Sequence, residues 1–220
     1  MIRLTESELK EITQKEHYKF LQDYFDYSGC NRQKFVGHCM NIIKNLQPQN
    51  FDEWVGYYTG HDGYLFTSGL VDSAMELQTY VETHTRKRYK FNKYWEAVSA
   101  LVLYHTWNGY KMELKAIEEL KSKEYVILQT NSKQDEIYAI DLIVHKDNTP
   151  LLGIQVKPSK YFRLSEEKKQ LNKDKNHKFI DKYKVSVKYL YYNENFEFCP
   201  KDIESIKEKI RKAMLCKNLK

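Results

Sequence analysis

Asp141, Gln155 and Lys157 place a carboxylate, an amide oxygen and an ammonium in two strongly apolar segments, Glu136–His145 and Leu151–Lys157. The glutamine lies fourteen positions after the aspartate, and the lysine follows two later. Burying an unpaired charge is costly, so Asp141 and Lys157 need partners, and the simplest are each other and a metal ion. Carboxylate and amide oxygens are hard donors of the kind Mg²⁺ prefers. An ammonium beside them would orient a water and stabilise negative charge developing on a phosphate.

Such chemistry needs strands to carry it. Residues 136–145 are β-branched, aromatic and aliphatic and read as a strand, with Ile137, Ala139, Asp141 and Ile143 on one face. Lys146-Asp-Asn-Thr-Pro150 has turn chemistry throughout. In the next strand Leu151, Gly153, Gln155 and Lys157 share a face, and Leu152, Ile154 and Val156 share the other. Both faces are mostly apolar, as expected of strands covered on both sides. Upstream, residues 108–121 read as a helix with Asn108 as N-cap. Helical spacing puts Gly109, Glu113, Ile117 and Leu120 on one stripe, with Glu113 its acidic member. Glu124–Gln129 reads as a further strand.

Helix, strand, strand with Asp, strand with Gln-x-Lys, helix, strand: over roughly Thr106–Tyr192 this order resembles the PD-(D/E)XK nuclease core. The resemblance implies a restriction-endonuclease-like αβββαβ core of the α/β (α+β) class, a mixed sheet flanked by helices, and Mg²⁺-dependent phosphodiester hydrolysis. It makes Asp141 the metal-binding aspartate and Lys157 the catalytic lysine. Gln155 stands where Glu or Asp is usual, Glu113 is the helix glutamate that some members add, and the Val156 carbonyl would supply a further oxygen. The chain departs from the pattern twice. Ile140 replaces the proline before the aspartate, and Gln155 is neutral, as in some restriction enzymes of this type. Thr106-Trp-Asn-Gly-Tyr110 and Gly153-Ile-Gln-Val-Lys-Pro-Ser159 are similar to the MjaI-like restriction family, which implies a short palindromic target. Each residue also has a plainer reading. Asp-x(13)-Gln-x-Lys arises by chance, a Gln or Lys near a strand end is usually solvated, and Glu113 could be an exposed helix residue.

Composition narrows the function classes. The 220-residue chain is 30% charged and 14% aromatic, with 18 tyrosines, which marks a globular rather than a disordered protein. A net charge of +6 favours a polyanionic partner. The four cysteines contain no C-x-x-C pair, and Cys30, His38, Cys39 and His61 match no standard zinc spacing. No signal peptide or membrane span is evident, so a reducing cytoplasm is the expected compartment.

Residues 1–100 are expected to form a helical N-terminal region for DNA binding or dimerisation, and 101–220 the nuclease core with a C-terminal helix. Within 1–47, Thr5 or Ser7 caps the first helix, and Phe20, Leu21, Tyr24 and Phe25 give an apolar side. A helix over 32–46 turns Phe35, Cys39, Ile42, Ile43 and Leu46 inward and breaks before Pro48. Residues 50–69, rich in aromatics and glycine, are expected to form loops, and helical periodicity returns over 70–83 and 92–105. Residues 164–181 read as a very polar helix with a mostly solvated face and 185–192 as a strand. Pro200 opens a helix with Ile203, Ile206, Ile210, Met214 and Leu215 on its apolar face.

Candidate DNA contacts are Arg86, Lys87 and Arg88, in a segment interleaving basic and aromatic residues. Arg86 and Arg88 suit guanine edges, although the segment reads equally as a solvated linker. Lys160 and Arg163 follow the Gln-x-Lys strand and would face a backbone phosphate. The resulting expectation is a Mg²⁺-dependent type II restriction endonuclease that cuts double-stranded DNA as a homodimer. A cognate DNA methyltransferase would be encoded separately, and no membrane would be involved. The alternatives are a structure-selective repair, junction or mobile-element nuclease, a catalytically degenerate DNA-binding protein, and an RNA-processing enzyme.

Overall fold

The computed structural model describes residues 5–25, 28–29, 33–60, 63–163 and 166–218. The chain divides into two compact units, Met1–Tyr110 and Lys111–Lys220.

The first unit is helical among its described residues. Its elements are α1 (Glu6–Gln14), α2 (Glu16–Phe25), α3 (Gln33–Val36), α4 (Cys39–Leu46), α5 (Phe51–Gly60), α6 (Gly63–His84) and α7 (Phe91–Ser99). A π turn over Ala100–Tyr104 then leads into α8 (His105–Leu120). Thr5 caps α1 in a reciprocal capping box with Glu8. The helix expected over 32–46 is broken, because Gly37 adopts φ 69° between α3 and α4, and Leu46 is left exposed. The expected loops at 50–69 are largely helix. Asn50 Oδ1 accepts from the Glu53 amide and Glu53 reaches back to the Gln49 amide, while Phe51, Trp54, Val55 and Tyr58 recur at helical spacing and are buried. Aromatic richness there is core, not turn. Gly69 has its own reason: a Cβ would come within 1.7 Å of the Phe35 carbonyl oxygen. Asn108 is not an N-cap. It lies inside a helical run that continues from α7, buried, with Nδ2 donating to the Tyr104 carbonyl at 3.0 Å.

The second unit is built on a four-stranded mixed sheet flanked by helices, in the order β1 (Val126–Gln129), β2 (Leu142–Lys146), β3 (Thr149–Pro158), β4 (Val187–Tyr192). β1–β2 and β2–β3 are antiparallel and β3–β4 is parallel. The parallel pair is joined through a 3₁₀ turn (Ser159–Arg163) and α10 (Glu166–Tyr183), and α11 (Pro200–Asn218) closes the unit. One side of β3 packs Leu152, Ile154 and Val156 with Met112, Ala116 and Leu120 of α8 and Ile203, Ile206, Ile210 and Met214 of α11. Leu215, expected on that apolar face, is exposed. The other side faces Phe179 of α10, with Tyr138, Ile140 and Ile143.

Two strand expectations need correction. Residues 132–138 form a short helix, α9 (Ser132–Tyr138), started by a capping box between Asn131 and Gln134 and ended by Ala139 in the left-handed conformation. Ile137 and Ala139 therefore do not share a strand face with Asp141 and Ile143. Leu151 does not share a face with Gly153 either. The β2–β3 register shifts between Val144 and His145, and this bulge lets Leu151 and Leu152 both enter the same core.

Gly153 marks where α10 presses on the sheet. A Cβ there would lie 2.9 Å from Ile140 Cδ1 and 3.0 Å from Phe179 Cε1. Gly153→Ala is expected to cost about 1–3 kcal/mol through overpacking, read as a lower urea midpoint. A midpoint equal to that of the parent would mean that α10 moves aside freely. Among the described residues no helix is long and apolar enough to cross a membrane.

Candidate active site

The β2–β3 hairpin sets the geometry. Asp147 and Asn148 both have positive φ (49° and 60°), the two-residue turn whose twist matches the flanking strands. The register that follows pairs Leu142 with Ile154, so Asp141, just before β2, stands beside Gln155. The Asp141 amide donates to the Ile154 carbonyl at 3.0 Å. Its Oδ2 accepts from the Val156 amide at 2.7 Å and from Lys157 Nζ at 3.2 Å. Asp141 thus grips the peptide groups on both sides of Gln155. From the β1 end, the Thr130 amide donates to the Asp141 carbonyl at 3.0 Å.

The pair is unequally exposed, with 7% of the Asp141 side chain open to solvent and 23% of Lys157. Burial alone would push the Lys157 ammonium down, but the fields of Asp141, Asp135 and Glu113 and the bond to Asp141 raise it above the usual lysine range. Lys157 is therefore a resident cation and not a neutral amine.

Gln155 is fully buried. Its Nε2 donates to the Ala139 carbonyl. A carbonyl can only accept, so that contact decides which end of the amide is nitrogen. Oε1, the other end, is buried and has no hydrogen-bond partner. A buried orphan acceptor is costly and calls for a ligand.

Glu113 is buried rather than exposed, and its Oε2 accepts from Gln129 Nε2 at 3.1 Å. It belongs to the same electrostatic neighbourhood. Burial pushes the Tyr192 hydroxyl up to about 12, with the Lys157 ammonium pulling down and the Asp141 and Glu113 carboxylates pushing up.

Two carboxylates and an orphan amide oxygen beside one ammonium fit a hard divalent cation with oxygen preference. Among the described residues no three His, Cys, Asp or Glu side chains form a metal cluster. A metal here would lean on Asp141 and the Gln155 oxygen and keep several waters. Of the zinc candidates, Cys30 and His61 lie outside the described residues.

A helix glutamate, an aspartate at a strand start and Gln-x-Lys on the neighbouring strand, over an αβββαβ core, are now in place. A model of the MjaI restriction endonuclease family matches residues 18–206. The chain belongs to that family. No significant match was found among curated proteins or among solved structures. Membership in the MjaI restriction endonuclease family makes the chain a restriction-type nuclease, and DNA is the substrate such a family implies.

In this member of the MjaI family, the structure brings together Asp141, Gln155 and Lys157, and puts Glu113 within electrostatic reach. Val156 contributes its amide to Asp141 while its side chain enters the core. The basic candidates are more scattered. Lys160 sits in the 3₁₀ turn after β3, exposed, and pairs with Glu194 at 3.0 Å. The side chain of Arg163 lies outside the described residues. Arg86, Lys87 and Arg88 are exposed on the α6–α7 linker of the first unit, with Lys87 Nζ 5.6 Å from the centre of the Phe20 ring. Sequence reading missed Gln129, which steers Glu113, and Asn176, which is buried in α10. The signal for Asn176 was present in the spacing Asn172, Asn176, Phe179, Tyr183, an inward stripe concealed by the lysines around it.

Proposed function

We propose that this chain is a Mg²⁺-dependent type II restriction enzyme that hydrolyses phosphodiester bonds in both strands of a short palindromic DNA site. The observation that supports this most directly is the buried, unpartnered Gln155 oxygen beside the Asp141–Lys157 pair. Asp141 supplies the charge for the cation and Gln155 a neutral oxygen, with the Val156 carbonyl as a further donor. Glu113 compensates for the carboxylate that Gln155 lacks, binding directly or through water. When bound, Mg²⁺ polarises the scissile phosphate and lowers the pKa of its water. Lys157, held as an ammonium by its acidic neighbours, orients that water and offsets charge growing on the phosphate.

Lys160 and Arg163 serve the backbone phosphates, and Arg86, Lys87 and Arg88 of the helical unit reach the duplex, with Arg86 and Arg88 reading guanine. A two-fold homodimer matches the symmetry of a palindrome and gives each strand its own site. A cognate methyltransferase, encoded separately, protects the host's own sites in the cytoplasm.

The test is direct. Purified protein is incubated with unmethylated viral and plasmid DNA, with Mg²⁺ or with EDTA, beside the Asp141→Ala variant. Discrete fragments that need both Mg²⁺ and Asp141 are expected, and end-sequencing gives the site. Salt-sensitive binding without cleavage of linear duplex would move the assignment to a branched-DNA nuclease or a degenerate binding protein.

A further inference from the structure

Behind the candidate site, α10 delivers one buried amide. Asn176 is only 4% exposed in a helix otherwise dominated by charged residues. Its Nδ2 donates to the Tyr138 carbonyl at 2.9 Å and to the Ala139 carbonyl at 3.1 Å. Its Oδ1 accepts from the Tyr189 hydroxyl at 2.9 Å. Both hydrogens of this amide, and its oxygen, are therefore engaged.

The two carbonyls are those at the end of α9, where a helix leaves acceptors unpaired. Ala139 has φ 49° and ψ 51°, a left-handed conformation that residues with a Cβ avoid unless the surroundings hold them there. Its carbonyl also accepts from Gln155 Nε2. A carbonyl has two lone pairs, and Asn176 and Gln155 each use one. Gln155, Ala139, Asn176 and Tyr189 thus form one chain of hydrogen bonds, and its two ends lie side by side in the sheet, because Tyr189 is the β4 neighbour of Gln155. The atom left outside it is Gln155 Oε1.

We propose that Asn176 is a positioning residue for the metal site: it holds the Ala139 carbonyl where it captures the Gln155 nitrogen, and so keeps the Gln155 oxygen free for a cation beside Asp141. Tyr189 secures Asn176 in turn. This inference rests on the metal-site reading of Asp141 and Gln155.

A purely structural Asn176 would stabilise the end of α9 and leave metal affinity untouched once the protein is folded. Calorimetric titration of the DNA-free protein with Mn²⁺ separates the two roles. Asn176→Ala is expected to weaken Mn²⁺ binding by about tenfold, the range usual for residues that orient metal ligands. Tyr189→Phe, which removes one hydroxyl, should weaken it in the same direction by less. On a Gln155→Ala background neither substitution should weaken binding further, because both act through that amide. Parent-like Mn²⁺ affinity in Asn176→Ala, or losses that add to that of Gln155→Ala, would overturn the assignment. If Asn176→Ala does not fold, Tyr189→Phe and its pairing with Gln155→Ala carry the same test. Asp141→Ala is the separate check: if it binds Mn²⁺ as tightly as the parent, the metal-site reading falls and this inference falls with it.

Discussion

An Asp141→Asn variant should cut DNA on the order of 10³-fold more slowly while remaining folded, because in the proposed mechanism several kcal/mol of barrier lowering depend on the cation this carboxylate would attract. Asparagine is the informative replacement. Asp141 Oδ2 accepts from the Val156 amide at 2.7 Å, and an asparagine oxygen can accept the same bond. Alanine would leave a buried N–H without a partner, at about 1–3 kcal/mol, and mix a folding defect into the rate. The isosteric change removes the charge alone. Lys157 loses its closest anion but keeps the fields of Asp135 and Glu113. Single-turnover cleavage with saturating enzyme, alongside a urea melt, reads both effects. Full Mg²⁺-dependent cleavage by Asp141→Asn would sink the site assignment, and a collapsed melt with lost cleavage would make Asp141 chiefly a structural clasp.

The grouping of Asp141, Gln155 and Lys157 was more legible in the sequence than the elements carrying it. Asp141, Gln155 and Lys157 stood out because each puts a polar group in an apolar run, which is costly without a purpose. The hairpin turn was legible because Asp and Asn tolerate positive φ. The strand around Asp141 was read too long for a local reason: Glu136–Tyr138 suits a strand by composition, but the Asn131–Gln134 capping box starts a helix seven residues upstream of Ala139 and the left-handed Ala139 ends it. Residues 50–69 misled in the opposite sense. Glycine and aromatics suggested loops, while burial of Trp54 and Tyr58 made helices there, which is tertiary packing overriding local preference. Glu113 could not be settled from a single stripe. Its buried carboxylate accepts from Gln129, sixteen residues away on β1, a contact no periodicity reports. Asn176 differs: its inward stripe is visible in the spacing, but its partners at Tyr138 and Ala139 belong to a helix end that the strand reading of 136–145 lacks.

Lys157→Ala should lower the cleavage rate by about 10²–10³-fold, the loss typical of removing one preorganised group that stabilises transition-state charge, while leaving DNA binding nearly intact. The geometry separates the two quantities. Lys157 is mostly buried against Asp141, so it adds little to the general attraction for a duplex, whereas the exposed Lys160 belongs to that attraction. Loss of a phosphate-neutralising lysine lowers the slope of log affinity against log salt by about 1. Lys160→Ala should show that change and Lys157→Ala should not. Stability should suffer little in Lys157→Ala, because Asp141 keeps the Val156 amide and water can reach the vacated edge of the site. Arginine should not rescue the rate. Its planar fork is longer and wider than a compact ammonium. Anisotropy with labelled duplex in the absence of Mg²⁺ gives binding, and single-turnover cleavage gives the rate. Unimpaired cleavage by Lys157→Ala would remove the lysine from the mechanism. Equal losses of binding and rate would instead assign it to gripping the duplex, and the charge stabilisation would then have to come from elsewhere in the site, with Glu113 and its Gln129 partner unable to supply it because neither carries a positive charge.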